Sequence, residues 1–239
     1  MKKLLLRIGL GALTLLLICL LAGGVFVYNE FQKLESDDQL VWKEDIEELT
    51  AGDADETYPE DAVLFVGSSS IRFWFTLEQD MAPVPVIQRG FGGAKLSDVL
   101  YYADRIIWPY QTNTIVLFAG TNDITGRPND KSPEELVELF KELVRRMEEK
   151  LPNTQLYYLR ITPTTSRRNI WEKAERANRL IAEFSESHEQ VIYVNTGPHF
   201  IKEDGTIREE MLFIDGIHLN DEGYAVWMKL LRVHLLDES

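Results

Sequence analysis

After residue 62, short apolar runs rich in Val, Ile, Leu, Phe and Tyr alternate with longer stretches whose apolar residues recur every three or four positions. The first pattern is that of buried strands, the second that of helices with one apolar face. Strands are expected at 62–66, 84–88, 114–119, 155–161 and 191–195. The strongest helical signal lies between the third and fourth. Ser132, Pro133 and Glu135 make a capping box with proline at the first helical position, and Leu136, Phe140, Leu143, Val144, Met147 and Leu151 follow at helical spacing until Pro152 and Asn153 end it. Further helices are expected at 171–187, with Ala174, Ala177, Leu180, Ile181 and Phe184 inward, at 221–235 behind an Asn220 cap, and at 96–107. Strands alternating with helices are the sequence form of an α/β fold, a parallel sheet with crossover helices.

The chain opens differently. Lys2, Lys3 and Arg7 precede an uncharged, Leu-rich run of 21 residues from 8 to 28, long enough to cross a bilayer as one helix. Bases before this run and Glu30, Glu35, Asp37 and Asp38 after it hold the N-terminus in the cytoplasm and export the body. Residues 1–28 are therefore expected to be a single-pass signal-anchor in the cell membrane, with the rest of the chain extracytoplasmic. A cleaved signal peptide is the competing reading, on the small residues Ala22, Gly23 and Gly24; the apolar run continuing through 25–28 argues against it. Ile18 stands before Cys19 where a lipidation site wants a small residue.

Residues 29–61 carry thirteen acids and two lysines and read as an acidic stem. Within it, Leu40, Val41, Trp42, Ile46 and Leu49 suffice for a short amphipathic helix docked on the domain. The domain proper is expected at 62–239, an ordinary size for one core.

Composition narrows the class. With 45% hydrophobic and 27% charged residues and one cysteine, the chain is neither disordered, nor a disulfide scaffold, nor a multi-span membrane protein. Its net charge is −14, and beyond residue 28 there are 22 bases against 39 acids, a net −17. Such a body does not favour nucleic acid or anionic surfaces.

An open parallel sheet places its chemistry at the C-terminal ends of its strands. Four loops there carry unusual polar residues: Gly67-Ser68-Ser69-Ser70, Arg89-Gly90-Phe91-Gly92-Gly93, Gly120-Thr121-Asn122-Asp123 and Asp215-Gly216-Ile217-His218. Each alone is an ordinary turn or cap. Together they supply what ester hydrolysis needs: a hydroxyl nucleophile, a histidine base, a carboxylate to hold that base, and donors for an oxyanion. Asp215 and His218 are three residues apart, close enough for the carboxylate to accept from one ring nitrogen while the other faces a serine. The N–H of Ser69, an N–H of the glycine loop and the amide of Asn122 are the candidate donors. Phe73, Trp74 and Phe91 are read either as pocket lining or as core. Arg167, Arg168 and Trp171 are read either as substrate contacts or as cover for a helix start.

In this arrangement the sequence resembles the SGNH hydrolases, the GDSL-like esterases and lipases, in a bacterial branch with a stem. "VLFVGSSSIRFW" matches the family's first block, with Ser69 at the nucleophile position, Ser68 in place of the usual Asp, and Ser70 in the slot of an apolar residue. The second block's glycine falls on Gly93 in "RGFGG", the third block is "GTND" with Asn122, and the fifth is "DGIHLN" with Asp215 and His218. The resemblance implies a flavodoxin-like three-layer sandwich with a five-stranded parallel sheet of order 2-1-3-4-5. It implies a Ser69–His218–Asp215 triad and an oxyanion hole of Ser69, Gly93 and Asn122, with no cofactor and no metal.

Three functions are carried forward. The first is a serine esterase acting through an acyl-enzyme on a small neutral ester, such as an O-acetylated glycan. The second is a lysophospholipase or thioesterase using the same triad; the third is a membrane-anchored binding protein that no longer turns over. No long apolar stretch after residue 62 is left over once the strands and helix faces are assigned, which favours short acyl groups.

Overall fold

Val63–Gly67 is apolar throughout and buried at every position, the signature of a strand covered on both faces. In the computed structural model, which describes residues 19–21, 23–25, 28, 32–59, 61–127 and 129–236, this segment is β1, at the heart of a five-stranded sheet. Its partners are β2 (Val86–Gly90) on one side and β3 (Thr114–Phe118) on the other, followed outward by β4 (Gln155–Leu159) and β5 (Val191–Val194). All pairs are parallel, so the order β2-β1-β3-β4-β5 is the one that the family resemblance implies.

Side chains alternate across the sheet and divide the core in two. Val63, Phe65, Val116, Phe118, Tyr157 and Leu159 share one cluster with Trp74, with Leu77 and Met81 of α3 (Leu77–Met81), and with Tyr224, Trp227 and Leu231 of α8 (Asp221–Leu235). The intervening Leu64, Val66, Ile115, Leu117 and Tyr158 are buried on the opposite face, where the Tyr158 ring meets Phe140 of α6 (Pro133–Lys150) at 4.9 Å. α6 packs against α4 (Leu96–Tyr101) and α7 (Trp171–Ser185). Three layers result. The expected capping box starts α6: Ser132 Oγ accepts from Glu135 N–H at 3.2 Å while the Glu135 carboxylate accepts from Ser132 N–H at 2.7 Å. Asn220 caps α8 through the N–H groups of Glu222 and Gly223.

The structure departs from expectation at the edges of elements. β2 begins at Val86 rather than 84 and runs through Arg89 and Gly90, because Pro85 has no N–H to give a ladder while Gly90 pairs with Gly67. The helix expected at 96–107 is two, α4 and α5 (Ala103–Ile106), separated at Tyr102.

The compact unit begins at Trp42, twenty residues before the boundary expected from the drop in acidic density. Trp42 and Ile46, on a 3-10 turn leading into α1 (Lys43–Leu49), are buried, and the Trp42 ring lies edge-on to Phe91 at 5.6 Å. Farther along, Asp53 pairs with the buried guanidinium of Arg89, accepts from Tyr110 Oη at 2.6 Å and from Tyr58 Oη at 2.8 Å, and Tyr58 in turn meets Arg89 at 2.7 Å. The short amphipathic helix expected in the stem is thus docked through Trp42 and Ile46, and the stem residues after it are joined to the domain by polar groups that give no hydropathy signal. Met1–Val41 forms a separate unit, helical at 19–21, 23–25, 28 and 32–35. Among the described residues no helix is long and apolar enough to cross a membrane; most of the expected anchor, including residues 1–18, lies outside them.

Removing the Asp53 carboxylate leaves the Arg89 charge buried without its counter-ion, the costly half of a broken ion pair. Asp53→Ala is expected to destabilise the domain by about 2–3 kcal/mol, read as a lower urea midpoint at unchanged m-value.

Candidate active site

The exit of β1 sets the site. Gly67 has φ +144°, and a Cβ there would lie 2.0 Å from the Phe118 carbonyl oxygen, so only glycine passes. Its carbonyl accepts from Phe91 N–H at 3.1 Å, and Ser68 N–H donates to Phe118 O at 2.9 Å, tying this turn to the ends of β2 and β3 together. Ser69 is then the first residue of the one-turn helix α2 (Ser69–Arg72), and its N–H has no acceptor within that turn. Gln88 Nε2 donates to the carbonyls of Ile71 and Trp74, and Tyr224 Oη donates to Ser70 O at 2.9 Å, fixing α2 in place.

Two of the predicted loops meet at Ser69. His218 Nε2 lies 2.8 Å from Ser69 Oγ, and His218 Nδ1 lies 2.7 Å from Asp215 Oδ2. A carboxylate only accepts, so Nδ1 carries the ring proton and Nε2 is left to accept from the serine hydroxyl. The other Asp215 oxygen accepts from the backbone N–H groups of Ile217 and His218 at 2.9 and 3.0 Å. Burial pushes the Asp215 carboxyl up, but the bonds from the His218 ring and from these two N–H groups outweigh it and hold the group below its ordinary range. The base thus has a charged partner that stays charged. Between Ser69 and Ser70, the geometry puts His218 on Ser69.

The remaining expected donors lie on the next two loops. Gly93 is buried with φ +69° in the turn after β2. Asn122, after β3, donates from Nδ2 to the carbonyl of Ala94 at 3.1 Å, so its amide rests against the glycine loop. Its neighbour Asp123 is fully buried and accepts from Leu96 N–H at 2.8 Å, binding the third loop to the start of α4. Of the aromatics read two ways, Trp74 and Phe91 are core residues. Trp74 stacks on Tyr224 at 5.2 Å and donates to Asp80 at 2.6 Å. Phe73 is at the site, its ring 5.1 Å from that of His218. Arg168 is exposed and Trp171 lies under the Arg160 guanidinium.

Arg167, read as a substrate contact or a cover for a helix start, instead reaches the Asn122 loop. It donates to the Thr121 carbonyl and, at 2.9 Å, to Asn122 Oδ1. Nothing in its spacing separates it from Arg168, which lies in the same 3-10 turn, Thr165–Ile170, and is exposed. Exposed apolar side chains stand near the triad, though not as a long stretch: Phe75, whose ring is 6.0 Å from that of Phe73, and Phe213 and Ile214, immediately before Asp215. Among the described residues no three His, Cys, Asp or Glu side chains gather as metal ligands.

A doubly covered parallel sheet with a serine, a histidine and an aspartate in hydrogen-bonded series on its C-terminal loops defines an α/β serine hydrolase. Residues 49–226 match the GDSL-like Lipase/Acylhydrolase family, and the chain belongs to it. It is 25% identical over 188 residues to the platelet-activating factor acetylhydrolase IB subunit alpha1 of Pongo abelii, covering 77% of this chain and 79% of that one. Among solved structures it resembles a GDSL-like lipase from Bacteroides thetaiotaomicron, with a TM-score of 0.68 at 16% identity over 81% of this chain and 98% of the other. It likewise resembles a catalytic mutant of an acetylxylan esterase from Geobacillus stearothermophilus, with a TM-score of 0.62 at 13% identity over 75% and 95% of the two chains.

Burial pushes Asp123 up to about 7, against the Leu96 N–H bond and with the Asp98 charge adding to the rise. The native state therefore keeps this proton at a pH where the unfolded chain, with a carboxyl near 3.9, has lost it, and stability falls as pH rises between roughly 4 and 7. Asp123→Asn carries no such proton. Its stability relative to the unchanged protein is expected to rise from about pH 5 to about pH 8 in urea melts, and a constant difference would count against the raised carboxyl.

Proposed function

We propose that the protein is an esterase that hydrolyses a small neutral carboxylic ester, such as an O-acetylated sugar, through an acyl-enzyme on Ser69. The observation that carries this reading is the unbroken series Ser69–His218–Asp215. His218 Nε2 takes the proton as Ser69 Oγ attacks the ester carbonyl. The oxyanion is held by the N–H groups of Ser69 and Gly93 and the Asn122 amide. As the tetrahedral species collapses, the alcohol leaves with the proton from His218. Water, deprotonated by the same imidazole, then releases the acid and restores the serine. Asp215 stays ionised throughout and stabilises the imidazolium.

The preference for short acyl groups draws support from two of the related proteins, which are named for removing acetyl groups. The net charge of −17 beyond residue 28 further disfavours anionic substrates at long range. A second reading, hydrolysis of a long acyl chain, is favoured by the apolar residues beside the triad. Phe75 and Ile214 are 84% and 108% exposed. A side chain that protrudes this far does not enclose a methylene, and only full enclosure returns about 0.8 kcal/mol for each. These residues suit a flat aglycone or leaving group better than a buried alkyl tail.

Purified full-length protein is expected to hydrolyse p-nitrophenyl acetate and to be labelled at Ser69 by a fluorophosphonate. Ser69→Ala lowers kcat by about 10⁴-fold or more, whereas Ser70→Ala keeps most of it. Across an acyl series, kcat/KM is highest for acetyl and propionyl esters and low for octanoyl; a steady climb toward octanoyl makes the long-chain reading the better one.

The extracytoplasmic, membrane-held location is part of the same proposal and rests on the charge asymmetry around residues 8–28. Protease added to intact spheroplasts should digest the catalytic unit while peptides from the Met1 end stay with the membrane. A soluble chain beginning near Gly24 would mean that the segment is removed.

A further inference from the structure

Three consecutive residues after β4 touch both halves of the site. Ser166 Oγ donates to the Asp215 carbonyl at 2.6 Å and Ser166 N–H to the Gly216 carbonyl at 3.1 Å, while Thr165 Oγ1 donates to Gly216 O at 3.3 Å. Gly216 permits this approach, because with φ +64° a Cβ would sit 2.3 Å from Thr165 Oγ1. On the other side of the nucleophile, Arg167 donates to the Thr121 carbonyl and to Asn122 Oδ1. One short segment thus joins the loop of the catalytic acid to the loop of the Asn122 amide.

The chemistry of Asn122's neighbours fixes which way its amide faces. A guanidinium only donates, so the atom beside Arg167 must be the amide oxygen; the Ala94 carbonyl only accepts, so the atom beside it must be the amide nitrogen. With one N–H taken by Ala94, the other is left to turn toward substrate. Without Arg167, the bond to Ala94 alone would leave the amide able to swing about its last torsion.

We infer that Arg167 is a positioning residue for the hydrolysis, locking the Asn122 amide so that its N–H meets the developing oxyanion. The inference rests on the esterase reading and deepens it. A cation on the amide oxygen also polarises the amide and makes its N–H a stronger donor, which counts most when negative charge appears on the substrate. Burial, followed by the charge of Arg127, pushes the guanidinium down to about 10, so Arg167 is still protonated at neutral pH.

Steady-state kinetics on p-nitrophenyl acetate with full-length protein test the inference in a double-mutant cycle. Arg167→Ala is expected to lower kcat about 10- to 100-fold with KM changed less than about threefold, and Asn122→Ala about 10²- to 10³-fold. The double variant should be no slower than Asn122→Ala within about threefold, since the guanidinium acts through the amide. Arg167→Lys, which keeps a donor and the charge, should recover part of kcat. Its melting temperature alongside that of Arg167→Ala separates a lost fold from a lost orientation. Multiplying effects in the double variant, a rise in KM at unchanged kcat, or full activity in Arg167→Ala would each overturn the role. An unchanged protein that neither cleaves esters from acetyl to octanoyl nor takes the fluorophosphonate would overturn the esterase reading as well.

Discussion

Everything at the site hangs on the way β1 ends. A strand buried on both faces has no room to turn unless its last residue lacks a side chain, and Gly67 meets that need by pressing its backbone against the Phe118 carbonyl. The turn is hydrogen-bonded to both neighbouring strands, so the position of Ser69 is set by the ladder of the central sheet rather than by a free loop. Three flanking loops then need only reach a fixed point. Rigidity of this kind is what catalysis by preorganised dipoles requires, because a donor that must reorganise loses most of its value in the transition state.

The groups around that point are paired so that each states the protonation or orientation of the next. Asp215 receives two backbone N–H bonds, keeps its charge, and selects the His218 tautomer that faces Ser69. Arg167 and Ala94 select the Asn122 rotamer in the same manner. Neither device depends on bulk or hydrophobic contact; both use the rule that a group able only to donate or only to accept fixes the role of its partner.

Much of this was legible in the chain. The sheet order follows from a resemblance carried by four short motifs, and Ser69, Asn122, Asp215 and His218 sit in them at recognisable spacing. The capping box of α6 is visible because it is local, three residues reading one another. What escaped is nonlocal and polar. Arg167 reaches a loop 45 residues upstream, and nothing near it in sequence marks that target. Asp53 reaches Arg89 across 36 residues from within a run of acids where every carboxylate looks alike. Hydropathy periodicity registers burial of apolar faces, so it has no signal for a carboxylate that is buried on a guanidinium.

The packing of Trp42 on Phe91 gives the residues before β1 a bearing on catalysis that their acidic composition conceals. Phe91 immediately precedes Gly92 and Gly93, and behind its ring stand Trp42 on one side and Tyr102, 6.5 Å away, on another. A catalytic fragment cut at residue 62 would keep all of the reacting groups. It would also strip Trp42 from behind Phe91, in the turn that carries Gly93, and take Asp53 and Tyr58 away from the charge of Arg89 in β2. The smallest piece of this chain that can be expected to work is therefore defined by a tryptophan well ahead of the first strand, Trp42.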